Sequence, residues 1–143
     1  LVVVRDIVSQ MLELGIQDIA LGETIGVAQQ SDIQKLYEAI DGVLATEDSI
    51  LHLHNTTGTA LDCAAEAMRC GVVRFDASCG GLGGCPYAPG AAGNIATEDL
   101  VDFAHQHGIE TGIDLRKLVN ASSIIERELK SPLQSAVYRA SQD

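Results

Sequence analysis

Apolar and polar positions alternate along this chain with two periods, one helical and one extended, and the two take turns. Over Leu1–Leu14 the apolar residues Val4, Ile7, Val8, Met11, Leu12 and Leu14 fall near helical spacing, and Gly15 closes the segment. A short apolar run, Ile16–Leu21, has the length of a strand, and a loop follows to Gln30. Ser31-Asp-Ile-Gln34 has the form of a capping box and predicts a helix to about Ala45. Ile50–His54 predicts the next strand, Asn55–Gly58 a turn, and Thr59–Cys70 an alanine-rich helix stopped by Gly71. Val72–Ala77 predicts a third strand, followed by a glycine-rich loop to Asn94. Thr97 is placed to cap a helix over Glu98–His107, which Gly108 ends. Ile109–Ile113 fits a short strand or a turn. Asp114 is placed to cap a last helix to Lys130, before Pro132. The polar segment 131–143 is expected to fray.

Strands alternating with helices predict a parallel sheet with crossover helices. A doubly wound sheet needs a tight glycine fingerprint after its first strand, and Gly22-Glu-Thr-Ile-Gly26 is too loose for one. A (β/α)8 barrel carries its chemistry in the loops after its strands. Glu23, His52, His54, Asn55 and Asn94 all fall at strand ends or in those loops, which favours the barrel. A whole barrel takes about 250 residues. The 143 residues here hold three clear βα units, so the expected fold is a single partial domain, the C-terminal part of a barrel. Such a piece leaves two sheet edges open and part of its core exposed, and is expected to be poorly stable or to pair with another chain.

The composition narrows the function. A net charge of −11 argues against nucleic acid or an anionic membrane as partner, since both select a basic face. No apolar run is long enough to span a bilayer, and no basic segment precedes Leu1 as in a signal peptide. Cys63, Cys70, Cys79 and Cys85 match no common zinc spacing and point to free thiols in a reducing compartment such as the cytoplasm.

His52 and His54 lie two apart on a strand, so their rings share one side and can reach one ion. With oxygen donors beside them, they suit Mg²⁺ or Mn²⁺, or a borderline ion such as Zn²⁺ or Co²⁺. Glu23 is either a general base at the mouth or a solvated loop carboxylate. Cys85, between Gly84 and Pro86, is placed in a loop where substrate can reach it, unlike Cys63 and Cys70 on a helix. Asn94 offers an amide oxygen to a hard cation. Glu98 either serves the site or answers the dipole of its helix.

The stretch Gly81-Leu-Gly-Gly-Cys-Pro-Tyr-Ala-Pro-Gly-Ala-Ala-Gly-Asn94, followed by Ile95-Ala-Thr-Glu98, resembles the signature of the 3-hydroxy-3-methylglutaryl-CoA lyases. Leu21-Gly-Glu-Thr-Ile-Gly-Val27 and His52-Leu-His-Asn55-Thr match the same family in the same order. The resemblance implies a (β/α)8 barrel that uses a divalent cation to cleave 3-hydroxy-3-methylglutaryl-CoA to acetyl-CoA and acetoacetate, a step of leucine degradation and ketone-body formation. It implies His52, His54 and Asn94 as metal ligands, Cys85 as the catalytic thiol and Glu98 as support for the site. Asn55, Gly83, Gly84, Pro86 and Tyr87 fall among its substrate and loop positions. The implied partners are an acyl-CoA and, for the full-length protein, a second copy in a dimer. The implied location is cytoplasmic, or the mitochondrial matrix in a eukaryote. Glu23 stands where the family usually has aspartate, and Asn55 where many members do, which leaves open a related substrate. The family's Asp-Arg-Glu-like strand, which supplies a further ligand, matches no segment of this chain. A related lyase or aldolase, an inactive fragment and a metal-free binding module therefore stand as alternatives.

Overall fold

A computed structural model describes residues 1–84 and 93–142. Its elements run in chain order α1 (Val2–Glu13), β1 (Ile19–Glu23), α2 (Gln30–Ile40), β2 (Ser49–Leu53), α3 (Ala60–Arg69), β3 (Arg74–Asp76), α4 (Thr97–Gln106), α5 (Leu115–Leu129) and α6 (Ala136–Ala140). The three strands form one parallel sheet in the order β1-β2-β3. This is the wall of a partial (β/α)8 barrel, as the alternation predicts.

The strand register sorts the side chains into two faces. Ile19, Leu21, Leu51 and Leu53 point outward and are buried, together with Val8 of α1, Ile33, Tyr37 and Ile40 of α2, and Cys63, Ala64 and Ala67 of α3. The alternate positions face the barrel interior in layers. Ala20 pairs with Ile50 and Arg74, and above them Gly22 pairs with His52 and Asp76. From the lower layer, Arg74 ties the strand entrances together, with Nη2 on Asp18 Oδ1 at 2.6 Å and Nη1 on Asp48 O at 3.2 Å.

At the opposite end, the loops after β1 and β2 are joined. Thr57 donates its N–H and its hydroxyl to Gly26 O, and Thr59 Oγ1 and Cys63 Sγ both donate to Ala28 O. Gly26 has φ 71°, and a methyl group there would lie 2.5 Å from Thr56 N, so only glycine fits the crossing.

Several boundaries differ from expectation. The cap of α2 is Gln29 with Asp32, whose Oδ2 accepts Gln29 N at 3.0 Å, and not the pair Ser31 and Gln34. The helix ends at Ile40 because Asp41 turns out to ψ 138°. β3 covers only Arg74–Asp76, not all of Val72–Ala77, and Ile109–Ile113 forms no strand. Thr97 begins α4 but makes no side-chain cap, whereas Asp114 caps α5 through Arg116 N and Lys117 N.

The largest departure is the segment after α5. Residues 131–142 are not frayed. Leu133, Ser135 and Tyr138 are buried, and α6 is capped from a distance by Asp99, which accepts Ser135 Oγ, Ala136 N and Val137 N. Glu126 of α5 accepts Leu133 N at 3.0 Å and the Tyr138 hydroxyl at 2.7 Å. These partners lie far off in sequence for Asp99, so local polarity gives no sign of them.

Candidate active site

His52 stands on the interior face of β2, and His54 follows one residue past the strand end. Their ring centroids are 5.1 Å apart, at an interplanar angle of 62°. The strand alternation thus brings the pair together as predicted. Behind His52, Asp76 of β3 lies in the same layer, and its Oδ2 is 3.0 Å from His52 Nδ1. With the proton assigned to Nδ1, this contact leaves the Nε2 lone pair free to ligate.

Asn94 reaches His54 from across the mouth. The two residues form an isolated antiparallel bridge, flanked by Asn55 N to Gly93 O at 3.1 Å and Ile95 N to Leu53 O at 2.9 Å. That pattern is the non-hydrogen-bonded kind of pair, in which opposed side chains come closest. Asn94 Nδ2 donates to Leu82 O at 2.8 Å, which fixes the orientation of the amide and turns Oδ1 away from Leu82. Among the described residues, two buried side-chain polar atoms have no hydrogen-bond partner, and they are His54 Nδ1 and Asn94 Oδ1. Buried lone pairs normally find partners. A pair without them, on facing residues beside a third nitrogen donor, fits a cation held by His52, His54 and Asn94. Among the described residues, no group of three or more His, Cys, Asp or Glu side chains could hold a metal ion, so the candidate set depends on the Asn94 amide.

Other predicted residues serve as supports. Asn55 Oδ1 accepts Ala60 N at 3.1 Å and so caps the start of α3. Glu23 pairs in register with Leu53, on the helix-facing side, and its Oε1 accepts Val27 N at 3.3 Å. The structure does not align it with the inward layer of His52 and Asp76. Glu98 is fully buried. Its two oxygens each accept Gly80 N at 2.9 Å, and Oε1 also accepts the hydroxyl of Ser122 from α5 and, at 3.6 Å, the thiol of Cys79. Burial pushes the Cys79 thiol up, so it remains a neutral donor in this cluster. Glu98 therefore holds the chain where it leaves β3.

Gly83 has φ 104° and packs so closely that a methyl group would lie 2.6 Å from Asn94 Nδ2, while Gly84 has open space around it. Cys85, Pro86 and Tyr87 lie outside the described residues. Asp76 and Ser122 are contributors that sequence reasoning missed. The strict alternation Arg74-Phe75-Asp76-Ala77 signals that Asp76 faces the interior beside His52. Ser122 sits inside a helical pattern and gives no local sign.

A barrel wall with donors gathered at the carboxyl ends of its strands defines a (β/α)8-barrel protein of the class whose chemistry sits at that face. Comparison with known proteins narrows this. The family model described as HMGL-like matches residues 1–125, and the chain belongs to that family. It is 43% identical over 125 residues to a hydroxymethylglutaryl-CoA lyase of Bacillus subtilis, covering 87% of this chain and 42% of that one. It is 40% identical over 137 residues to the (R)-citramalyl-CoA lyase of Chloroflexus aurantiacus, covering 96% of this chain and 43% of that one. An HMG-CoA lyase from Acinetobacter baumannii, solved with coenzyme A and 3-methylmalate, superposes with a TM-score of 0.90 at 40% identity, covering 96% of this chain and 45% of that one. The chain thus spans under half the length of these relatives.

Proposed function

We propose that the full-length protein is a metal-dependent carbon–carbon lyase acting on a 3-hydroxy-3-methylglutaryl-CoA-type thioester. The observation that carries the reading is the pair of unpartnered buried atoms, His54 Nδ1 and Asn94 Oδ1, on bridge-paired residues beside His52. A divalent cation, Mg²⁺ or Mn²⁺ foremost, would be held by these three residues and would acidify the substrate hydroxyl and orient it. Asp76 orients His52 through Nδ1.

Cleavage is of the retro-Claisen type. The hydroxyl gives its proton to a base, a role we assign to Glu23 on the family resemblance, as the carbon–carbon bond breaks; the electron pair passes to the acetyl-CoA enolate, and the enolate carbon gains a proton. We assign that donation to the thiol of Cys85, on the family resemblance of the loop that bears it. Glu98 is a positioning residue in this reading. Asn55 organises its loop, and Gly83, Gly84, Pro86 and Tyr87 are assigned to acyl-CoA binding on the same family resemblance. Relatives described as mitochondrial and as cytoplasmic support an aqueous compartment with a CoA pool, where leucine catabolism would supply the substrate.

A second reading is a lyase for a related 3-hydroxy acyl-CoA. The 40% identity to a citramalyl-CoA lyase over 96% of the chain favours it, as do Glu23 and Asn55 in place of the usual aspartates. Turnover of the full-length protein on both thioesters decides between the two. His54→Ala is expected to abolish Mn²⁺ binding, and Cys85→Ala to leave Mn²⁺ binding intact while turnover collapses. Undiminished Mn²⁺ binding in His54→Ala would refute the site.

A further inference from the structure

We propose that the segment after α5, residues 131–142, positions the cation site by clamping the glycine loop at its root, Gly80–Gly81. The root is an unusual piece of backbone. Gly80 has φ 65° and ψ 8°, and Gly81 has φ 72°. Two successive residues in the left-handed region turn the Gly80 peptide groups out of the sheet and into the helical layer. Each end of Gly80 is then gripped by a different element. Its N–H meets both oxygens of Glu98 from α4. Its carbonyl accepts Gln134 N at 2.8 Å and Ser135 N at 3.3 Å from the segment after α5. Leu133 closes the remaining space, since a methyl group on Gly80 would lie 2.6 Å from Leu133 Cδ1.

The grip extends to Asn94. Leu82 N donates to Cys79 O at 3.2 Å, which sets the peptide two residues beyond Gly80. Leu82 O is the acceptor that orients the Asn94 amide. The strand returning from the loop is pressed against the same root, because a methyl group on Gly93 would lie 1.9 Å from Gly81 O. Displacement of Gly80 therefore moves the atom that aims Asn94 Oδ1 at His54.

The clamp has its own anchorage. Leu133, Ser135 and Tyr138 are each at most 2% exposed. Consecutive residues of α4 divide the work, with Glu98 holding the loop root and Asp99 holding α6. One helical turn thus joins the site to the end of the described chain.

This inference rests on Asn94 being a ligand, and the experiment separates the two. Mn²⁺ affinity of the full-length protein is measured by electron paramagnetic resonance, well below the melting temperature, with far-UV circular dichroism as the check on folding. Leu133→Ala is expected to weaken Mn²⁺ binding by about tenfold, as loss of an outer support does, and Leu133→Met to restore most of it. Leu44→Ala removes another buried leucine, from the connection between α2 and β2, and is expected to leave the affinity unchanged. Asp99→Asn, a milder change that loosens α6, is expected to weaken binding in the same direction. Unchanged affinity in Leu133→Ala and Asp99→Asn, beside a weakened Asn94→Ala, overturns the clamp alone. Unchanged affinity in Asn94→Ala overturns the reading of the site and the clamp with it.

Discussion

Replacing Asp76 with alanine removes the hydrogen bond that, among the described residues, fixes the His52 ring from behind, a 3.0 Å bond from Nδ1 to Oδ2. A carboxylate behind a metal-bound imidazole holds its tautomer and angle, and its loss typically weakens metal binding by about 10- to 100-fold. The structure selects the lower end. The side chains of His52 and Asp76 are 27% and 59% exposed, so water takes over part of the hydrogen bond and screens the charge. The expected loss for Asp76→Ala is about tenfold in Mn²⁺ affinity, or about 1.4 kcal/mol. Asp76→Asn keeps an oxygen acceptor in place and gives up only the charge, so its loss is smaller, about threefold. Folding stability barely changes in either variant, because an exposed pair of this kind contributes about 0–1 kcal/mol. Isothermal titration with Mn²⁺, set against thermal melts of the same samples, measures both quantities. A change in affinity below about twofold in Asp76→Ala would refute the orienting role assigned from the geometry.

Three further outcomes are expected. Glu98→Ala leaves Gly80 N buried without its carboxylate acceptor, while the Ser122 hydroxyl keeps Leu118 O, and should lower stability by about 2 kcal/mol, with Glu98→Gln recovering part of it in urea denaturation. The Cys63 thiol is pushed up to about 11 by burial, with the nearby Glu23 charge adding to it, so native protein should resist iodoacetamide at Cys63 at neutral pH by peptide mapping. Because the folded thiol holds its proton more tightly than an unfolded one near pH 8.5, its contribution to stability is complete below that pH and is lost as pH rises toward about 11, a loss absent in Cys63→Ala. Glu126 is held below the usual carboxylate range by Leu133 N first and by the Tyr138 hydroxyl second. Its support of α6 is therefore present above the ordinary glutamate range and lost as pH falls through the lowered value. Amide protection over 133–140, relative to intrinsic exchange at each pH, should fall in acid, and Glu126→Gln should remove that dependence.

The barrel wall was legible because its determinants are local and periodic. Leu51 and Leu53 alternate with Ile50, His52 and His54, so one run of sequence states both the strand and the face its histidines share. The side on which Glu23 stands was not legible, because its position at a strand end suggests the mouth, while register with Leu53 sets its side. The role of Asn94 beyond its type could not be read from spacing, since the bridge to His54 joins residues far apart in the chain. The same holds for residues 131–142. Their polarity reads as solvated chain, and only Asp99, Glu126 and Gly80, supplied by other elements, turn those polar groups into an ordered packing.

Among the described residues, β1 ladders on one side only, with β2, and its other side borders an apolar groove lined by Leu1 and by Val4, Ile7 and Met11 of α1. A parallel edge beside a greasy trough is an address for one more βα unit in the same orientation. It makes this stretch a natural half for split-protein complementation. A separately expressed polypeptide carrying the earlier strands of a relative has both a ladder to join and a surface to cover. Recovery of turnover on mixing would then report assembly itself, with neither half needing to be active alone.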